Sequence, residues 1–404
     1  MTFCETLNTQ VKYECDVLVC GGGFGGISAA LAAARENKKV ILLERQFMLG
    51  GLATAGLVTI YLALCDGYGK QVSYGIAEEL LRLSVSMGDE GDIGKNWWQE
   101  ENGSKSEKDS RFEAKFNPHL FAALVAKLLT ENGVTVLYGT YAVSVHMNGD
   151  KIDGVIVENK SGRLGIKAKA VVDATGDADI AYFAGADTET FKQGNVLAAW
   201  YYSNSQKNGY RLMQVGFCDI PDEDKVVSGG VEVLDVRRFT GVDGQEVSEF
   251  ALMAQQHMLN HVIKSRKDVG EDYVPVTMPS IPQLRMTRKL VGEYALSNKE
   301  MHTYFEDSIG MVSDWRKRGP IYEVPFRTLY SKKVKNLIMA GRCTSVTEPM
   351  WDIMRVIPCC AVTGEAAGVA AAMTDDFSSL DVALLQERLR AKGVVIHEKD
   401  INNG

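Results

Sequence analysis

The sequence predicts an α/β fold around a central parallel sheet, with an antiparallel meander and an inserted α+β portion. Three observations predict it. The chain opens with an apolar strand, a glycine run, an alanine-rich helix and a second apolar strand, over residues 16–44. A strand-rich stretch between Val134 and Gly176 is divided by turn residues. A late apolar run, VKNLIMAG at 334–341, leads towards a helix of small residues at 362–373. The strand-then-helix signature thus stands at both ends, with something different between.

Each element has a local reason. DVLVC at 16–20 reads as a parallel strand buried on both faces. After Gly21–Gly26, ISAALAAARE is a strong helix former. Lys39 closes that helix, and VILLE, Val40–Glu44, is the second strand, completing a βαβ unit. Residues 57–115 are an excursion, helical over Gly75–Met87 and a polar surface loop over Asp89–Ser110. Asn117-Pro118 starts a helix that runs to Glu131 and stops at Asn132-Gly133. Asn148-Gly149-Asp150 and Lys160-Ser161-Gly162 divide the meander, which returns on a buried strand, Ala170–Ala174. Residues 196–324 are less regular, with a helix around Val247–Lys264.

Composition narrows the function. The 404 residues carry 44 basic and 52 acidic side chains, net −8, which argues against nucleic-acid or anionic-membrane partners. With 46% hydrophobic and 24% charged residues the chain has the makings of a globular core. MTFCETLNTQ lacks the form of a secretory signal. Val356–Met373 approaches a spanning length, but Pro358, Gly364 and Glu365 interrupt it, so it reads as a loop entering a buried helix. No cysteine pair has knuckle spacing, and adjacent Cys359 and Cys360 read as structural. His257 and His261 lack a carboxylate at supporting spacing, so no metal site is expected. A reducing cytoplasm fits best.

Gly21, Gly23 and Gly26 satisfy G-x-G-x-x-G between a strand and a helix. The first glycine makes the turn, the second admits a pyrophosphate, and the third packs helix on strand. Glu44 ends the next strand, 18 residues past Gly26, where a carboxylate accepts ribose hydroxyls. This is a Rossmann-like signature. The second pair, Gly50-Gly51, with Thr54 lets backbone pass close to a flat ring or linker, or forms a flexible loop.

Taken together, GGGFGG, LLERQFMLGGLATAGLV, VVDATGD and NLIMAGRC with RVIPCCAVTGEAAGVAAA resemble the FAD-dependent oxidoreductases of two-dinucleotide-binding-fold architecture, distantly related to fumarate reductase and succinate dehydrogenase flavoproteins. The resemblance implies an FAD-binding domain in two parts, 1–195 and 325–404, around a substrate domain at 196–324. It implies pyrophosphate binding by Gly21, Gly23 and Gly26, with Phe24, Gly25 and Arg45 beside them, and adenosine ribose on Glu44. Gly50, Gly51 and Thr54 would follow the flavin side, and Val136 the adenine. Ala174, Thr175 and Gly176 would form a second binding turn, and Gly341 and Arg342 would meet the ribityl and phosphate region. A helix starting near Thr363-Gly364 would aim its N-terminus at the flavin. One complete fingerprint implies a separate electron donor or acceptor, and no histidine near Gly50–Thr54 supports a covalent flavin.

For chemistry beside the flavin, Arg355 is the leading arginine, with Asp352 and Glu348 as proton acceptors or its partners. Arg285 and Arg288 share a face if helical, and suit a carboxylate or phosphate as well as a solvated surface. His302 is the acid–base histidine of choice, whereas His119, His146 and His397 read as surface positions and His257 and His261 as an exposed face. Cys65-Asp66 either faces the flavin or ends a strand. The expected activity is hydride transfer between a small polar organic substrate and non-covalent FAD. The alternatives are a non-redox flavoenzyme, such as an isomerase or cyclase, and a flavin-binding RNA-modification or assembly protein. Homo-oligomerisation stays open.

Overall fold

The structure, a computed structural model, describes residue 2 and residues 4–87, 114–216 and 234–401; the polar stretch 89–110 lies outside the described residues. Its centre is a seven-stranded sheet. The strands are β1 (Val11–Cys20), β2 (Val40–Glu44), β3 (Thr135–Tyr138), β4 (Tyr141–Asn148), β5 (Lys151–Asn159), β6 (Gly162–Asp173) and β7 (Leu337–Met339). The order β3-β2-β1-β6 is parallel throughout. β1 starts earlier than its apolar run suggests, because pairing with Gly165–Ala168 holds its more exposed first half.

The outer edge of β6 is shared. Its first half, up to Lys167, carries β5 antiparallel, and Val171–Asp173 carries β7 parallel. One long strand therefore serves both the meander and the parallel sheet. Buried Asn336 stitches the junction: its Oδ1 accepts from the Ile152 amide at 2.8 Å, and its Nδ2 donates to the carbonyls of Ile152 and Lys169 at 2.8 and 3.0 Å.

Side chains alternate across the sheet. Val17, Val19, Leu42 and Val172 pack with helices Phe24–Arg35 and Ile357–Met373, whereas Leu18, Ile41, Leu43 and Val171 pack with the meander and helix Asp179–Phe183. The two helices of the first face meet backbone to backbone. A Cβ on Gly364 would lie 2.2 Å from the Gly25 carbonyl oxygen, and one on Gly368 would lie 2.2 Å from that of Ala29. Among the described residues no single helix is long and apolar enough to cross a membrane.

The portion after residue 195 builds a three-stranded antiparallel sheet with Ala198–Asn204 in the middle, between Arg211–Gly216 and Val274–Thr277. Helix Gly244–Val269, longer than its sequence signal, lays Phe250, Ala254, Met258 and Val262 on it. The hairpin Ser308–Ser313 with Ile321–Pro325 instead sends Ile309, Val312, Tyr322 and Val324 into the main core.

Buried Glu365 joins the closing helix to the excursion. Its Oε2 accepts from the amide of Ile76 at 2.8 Å, the first residue of helix Ile76–Val85, whose Gly75 cap supplies no side chain. Burial pushes the carboxyl up to about 7. An acid raised in the folded state holds its proton while the unfolded chain releases it, so stability falls as pH rises from about 4.5 towards 7. Replacing Glu365 with Gln keeps the acceptor and removes the titration. The variant should melt above the wild type at pH 8, by up to about 3 kcal/mol, and near it at pH 5. Melting curves that keep the same pH slope in both proteins would contradict this.

Candidate functional site

A cleft runs across the C-terminal ends of β1, β2, β6 and β7, where ligands bind in open α/β sheets. Its floor is the glycine turn. Gly21 has φ 111°, and a Cβ there would lie 2.3 Å from the Ala174 carbonyl oxygen. A Cβ on Gly26 would strike the Gly21 oxygen at 1.8 Å, whereas one on Gly23 would meet nothing within 4 Å. The outer glycines are thus demanded by packing, and the middle one opens on the cleft. Gly23 caps helix Phe24–Arg35 without a side-chain bond, so the helix offers its first amides and its positive dipole end. The Phe24 ring turns away into the core, stacked on Phe121 at 5.0 Å, and Gly25 packs against Gly341.

Glu44 and Arg45 line the cleft beside this turn. The Glu44 carboxylate accepts from the amides of Gly22 at 2.9 Å and Gln46 at 2.7 Å, and burial raises its pKa above the usual range. Gly50 donates to the Gly22 carbonyl at 2.8 Å, which docks the second glycine pair, with Gly51, onto the first turn.

Ala174, Thr175 and Gly176 form the next wall. They are organised by buried Asp173, which accepts from the Thr175 amide and hydroxyl and the Ala181 amide; burial pushes its carboxyl up to about 6. Gly341 and Arg342 complete this wall, with Arg342 Nη2 on Asp177 Oδ1 at 2.6 Å. Asp177 was missed as a site residue, although it stands in the DATGD run; it also accepts from Thr287 Oγ1 at 2.6 Å. Arg355, Ile357 and Cys360 also line the cleft, with Cys360 beside Gly341.

Several expectations are corrected. Val136 is half-buried in β3 against the core, and Thr140, Tyr141 and Ala142 border the cleft instead. Thr54 is buried, its hydroxyl donating to the Leu49 carbonyl at 2.6 Å, so it shapes the loop rather than the lining. The closing helix starts at Ile357, with Pro358 in its first turn, not near Thr363. Thr363 Oγ1 accepts from the Gly341 amide at 3.0 Å, and Gly364 is the contact with Gly25.

Arg285 and Arg288 share no helical face, because the segment is extended and Arg288 starts strand Arg288–Leu290. Arg288 reaches Asp179 at 2.6 Å and stacks on Tyr182, while buried Arg285 lies over the Trp200 ring at 4.6 Å. His302 is exposed, paired with Glu398 at 3.0 Å, and lies outside the cleft. His397 is not a surface residue: it is buried on Glu323 at 2.9 Å. His261 is half-buried on the Tyr201 hydroxyl at 2.7 Å. Glu348 accepts from the Lys192 amide at 2.7 Å, and Asp66 caps its own turn through Tyr68 and Lys70 amides, with Cys65 buried beside it.

Asp352 stands behind the cleft wall. Its Oδ1 accepts from Arg355 Nε at 2.8 Å, and Arg316 Nη1 lies 3.8 Å from its Oδ2. Burial raises the Asp352 pKa, and Arg355 and Arg316 oppose that rise. Arg316 is itself forked onto Asp314 at 3.0 Å. The arginine at the cleft is therefore held by a buried ionic network.

Open amides at the glycine turn, a carboxylate beside them and room over Gly23 fit an adenine dinucleotide. A profile of the family described as FAD dependent oxidoreductase matches residues 16–199 and 196–389. Over 72 residues the chain is 35% identical to a thioredoxin reductase of Ureaplasma parvum; that match takes in 18% of this chain and 23% of the reductase, so the chain spans about a quarter of this relative. A geranylgeranyl bacteriochlorophyll reductase-like protein of Thermoplasma acidophilum superimposes with TM-score 0.46 at 12% identity, over 97% of this chain and 94% of that one. A flavocytochrome c3 fumarate reductase in its open conformation does so with TM-score 0.41 at 14% identity, over 90% and 79%. By the profile match along nearly its whole length, on a cleft that both ends of the sequence build, the chain belongs to the FAD-dependent oxidoreductase family and takes FAD as its cofactor.

Proposed function

We propose that this protein transfers hydride between a small polar organic substrate and FAD held without a covalent link. The observation that carries the reading is Arg355. It precedes the closing helix, lines the cleft, and is fixed there by buried Asp352. A guanidinium so held pays little entropy to orient an anionic oxygen of a substrate. Asp352 positions Arg355 by accepting from its Nε at 2.8 Å.

In this reading the residues divide along the cleft. The turn Gly21–Gly26 takes the pyrophosphate on backbone amides, and Glu44 takes the adenosine ribose. Glu44 is already oriented by two amides, which leaves its remaining lone pairs for hydroxyl donors. Gly341 and Arg342 border the middle of the cofactor, with Arg342 oriented by Asp177. Bound FAD supplies the two-electron acceptor. A separate electron partner completes the cycle, consistent with the single glycine fingerprint.

Three outcomes are expected. Anaerobic addition of the substrate should bleach the yellow protein; a flavin that stays oxidised through turnover would exclude hydride transfer. Replacing Glu44 with Ala should weaken FAD binding by more than tenfold, since a charged hydrogen bond contributes about 1.5–3 kcal/mol; unchanged retention on dialysis would remove the ribose assignment. For Arg355→Ala, FAD content should hold while the bleaching rate falls about 100-fold, and an unaltered rate would make this arginine structural.

A further inference from the structure

Helix Gly244–Val269 is covered on one side only. Phe250, Ala254, Met258 and Val262 face the three-stranded sheet. On the other side Leu252, Leu259 and Ile263 stand 65%, 49% and 47% exposed. At 3.6 residues per turn these three and Gln256 fall within about 60° of one another, opposite the buried row. Single exposed leucines need no explanation, but here they form a line.

The line has a coiled-coil period. Glu249, Leu252, Gln256, Leu259, Ile263 and Arg266 follow one another at alternating steps of three and four. It is also complementary to itself read backwards, as a twofold interface requires. About an axis between His257 and Met258, Leu252 meets Ile263 of a second copy, Gln256 meets its Leu259, and Glu249 meets its Arg266. Charge agrees with that direction. The start of the helix carries Asp243, Glu246 and Glu249, and its end carries Lys264, Arg266 and Lys267 against Asp268. Antiparallel copies set the acidic end on the basic end and oppose the helix dipoles, whereas parallel copies would set like on like. Glu249 already meets Arg237, and Arg266 Nη1 donates to the Tyr273 carbonyl at 3.1 Å, but each keeps capacity for another partner.

We propose that two copies of this chain dock through the exposed side of this helix, antiparallel and in that register. One helix against another buries less than a standard interface, so the dimer should dissociate at about micromolar concentration. The inference stands apart from the reaction in the cleft, whose lining includes none of the six residues.

Sedimentation velocity of the FAD-loaded full chain, from about 1 to about 100 µM, tests it, and a dimer should appear within that range. Leu259→Glu places a charge from each copy in the seam and should leave only monomer, with the FAD content and melting temperature of the wild type. Glu249→Arg and Arg266→Glu should each raise the dissociation constant about tenfold by setting like charges together, and the two combined should restore it. These reversals lie at the surface and decide the matter even where Leu259→Glu loses FAD. A wild type that stays monomeric throughout would overturn the proposal, including one whose helix then takes up vesicles of anionic lipid. A dimer untouched by Leu259→Glu would place the contact elsewhere, and a double reversal no tighter than the single ones would refute the antiparallel register.

Discussion

The contact on which the structure depends is the backbone approach of helix Phe24–Arg35 to helix Ile357–Met373. Gly364 meets the Gly25 carbonyl and Gly368 that of Ala29, at separations that no side chain would allow. The two helices are more than 300 residues apart in the chain, so this contact fastens the end of the sequence over its beginning. It also sets the cleft. Gly25 abuts Gly341, the Gly341 amide is held by Thr363, and Arg355, two residues before the closing helix, is brought to the lining. A bulkier seam would shift the arginine relative to the glycine turn.

Charge is buried around this cleft with unusual density for so acidic a chain. Asp173, Glu44 and Asp352 are each buried, and each has its pKa raised by burial. Two of them are answered by backbone amides, Asp173 in the second turn and Glu44 in the first. Asp352 is answered by guanidinium groups. The division is physical. Amide-bound carboxylates fix loop shape at the two turns, and ion-paired ones hold a mobile side chain at a chosen angle. Removing one partner from such a pair would leave the other buried and uncompensated, which is why these residues act as a unit.

Much of the fold was legible because it is locally encoded. The glycine spacing, the Asn117-Pro118 helix start and both meander turns were all readable from neighbouring residues, and Asn117 does cap its helix through the His119 and Leu120 amides. What failed was decided at a distance. The spacing of Arg285 and Arg288 puts them on one face only if the segment is helical, but Arg288 pairs with Thr190 and Lys289 with Glu189, so it is drawn into a strand. His302 was attractive for lying between basic and acidic residues in sequence, yet its partner is Glu398. The closing helix starts earlier than Pro358, read as a breaker, suggests; in the first turn proline costs nothing, since its missing amide would have had no partner.

Trp200 shows where the sequence pattern says least. Its strand, AAWYYSN, is apolar on both faces, so the period-two signal that separates a core face from a working face is lost. Composition cannot tell Tyr201, which bonds to Tyr273 and His261 beneath the helix, from Tyr202 or Trp200 on the side of the glycine loop. Pairing with strands on both sides fixes which way each residue points, and those partners lie as far away as Thr277. The cofactor end of the cleft is made of backbone, whose demands glycine records plainly in sequence. The strand Ala198–Asn204 is oriented instead by side chains and strands from distant segments, and only the packing of those segments decides which way each residue points.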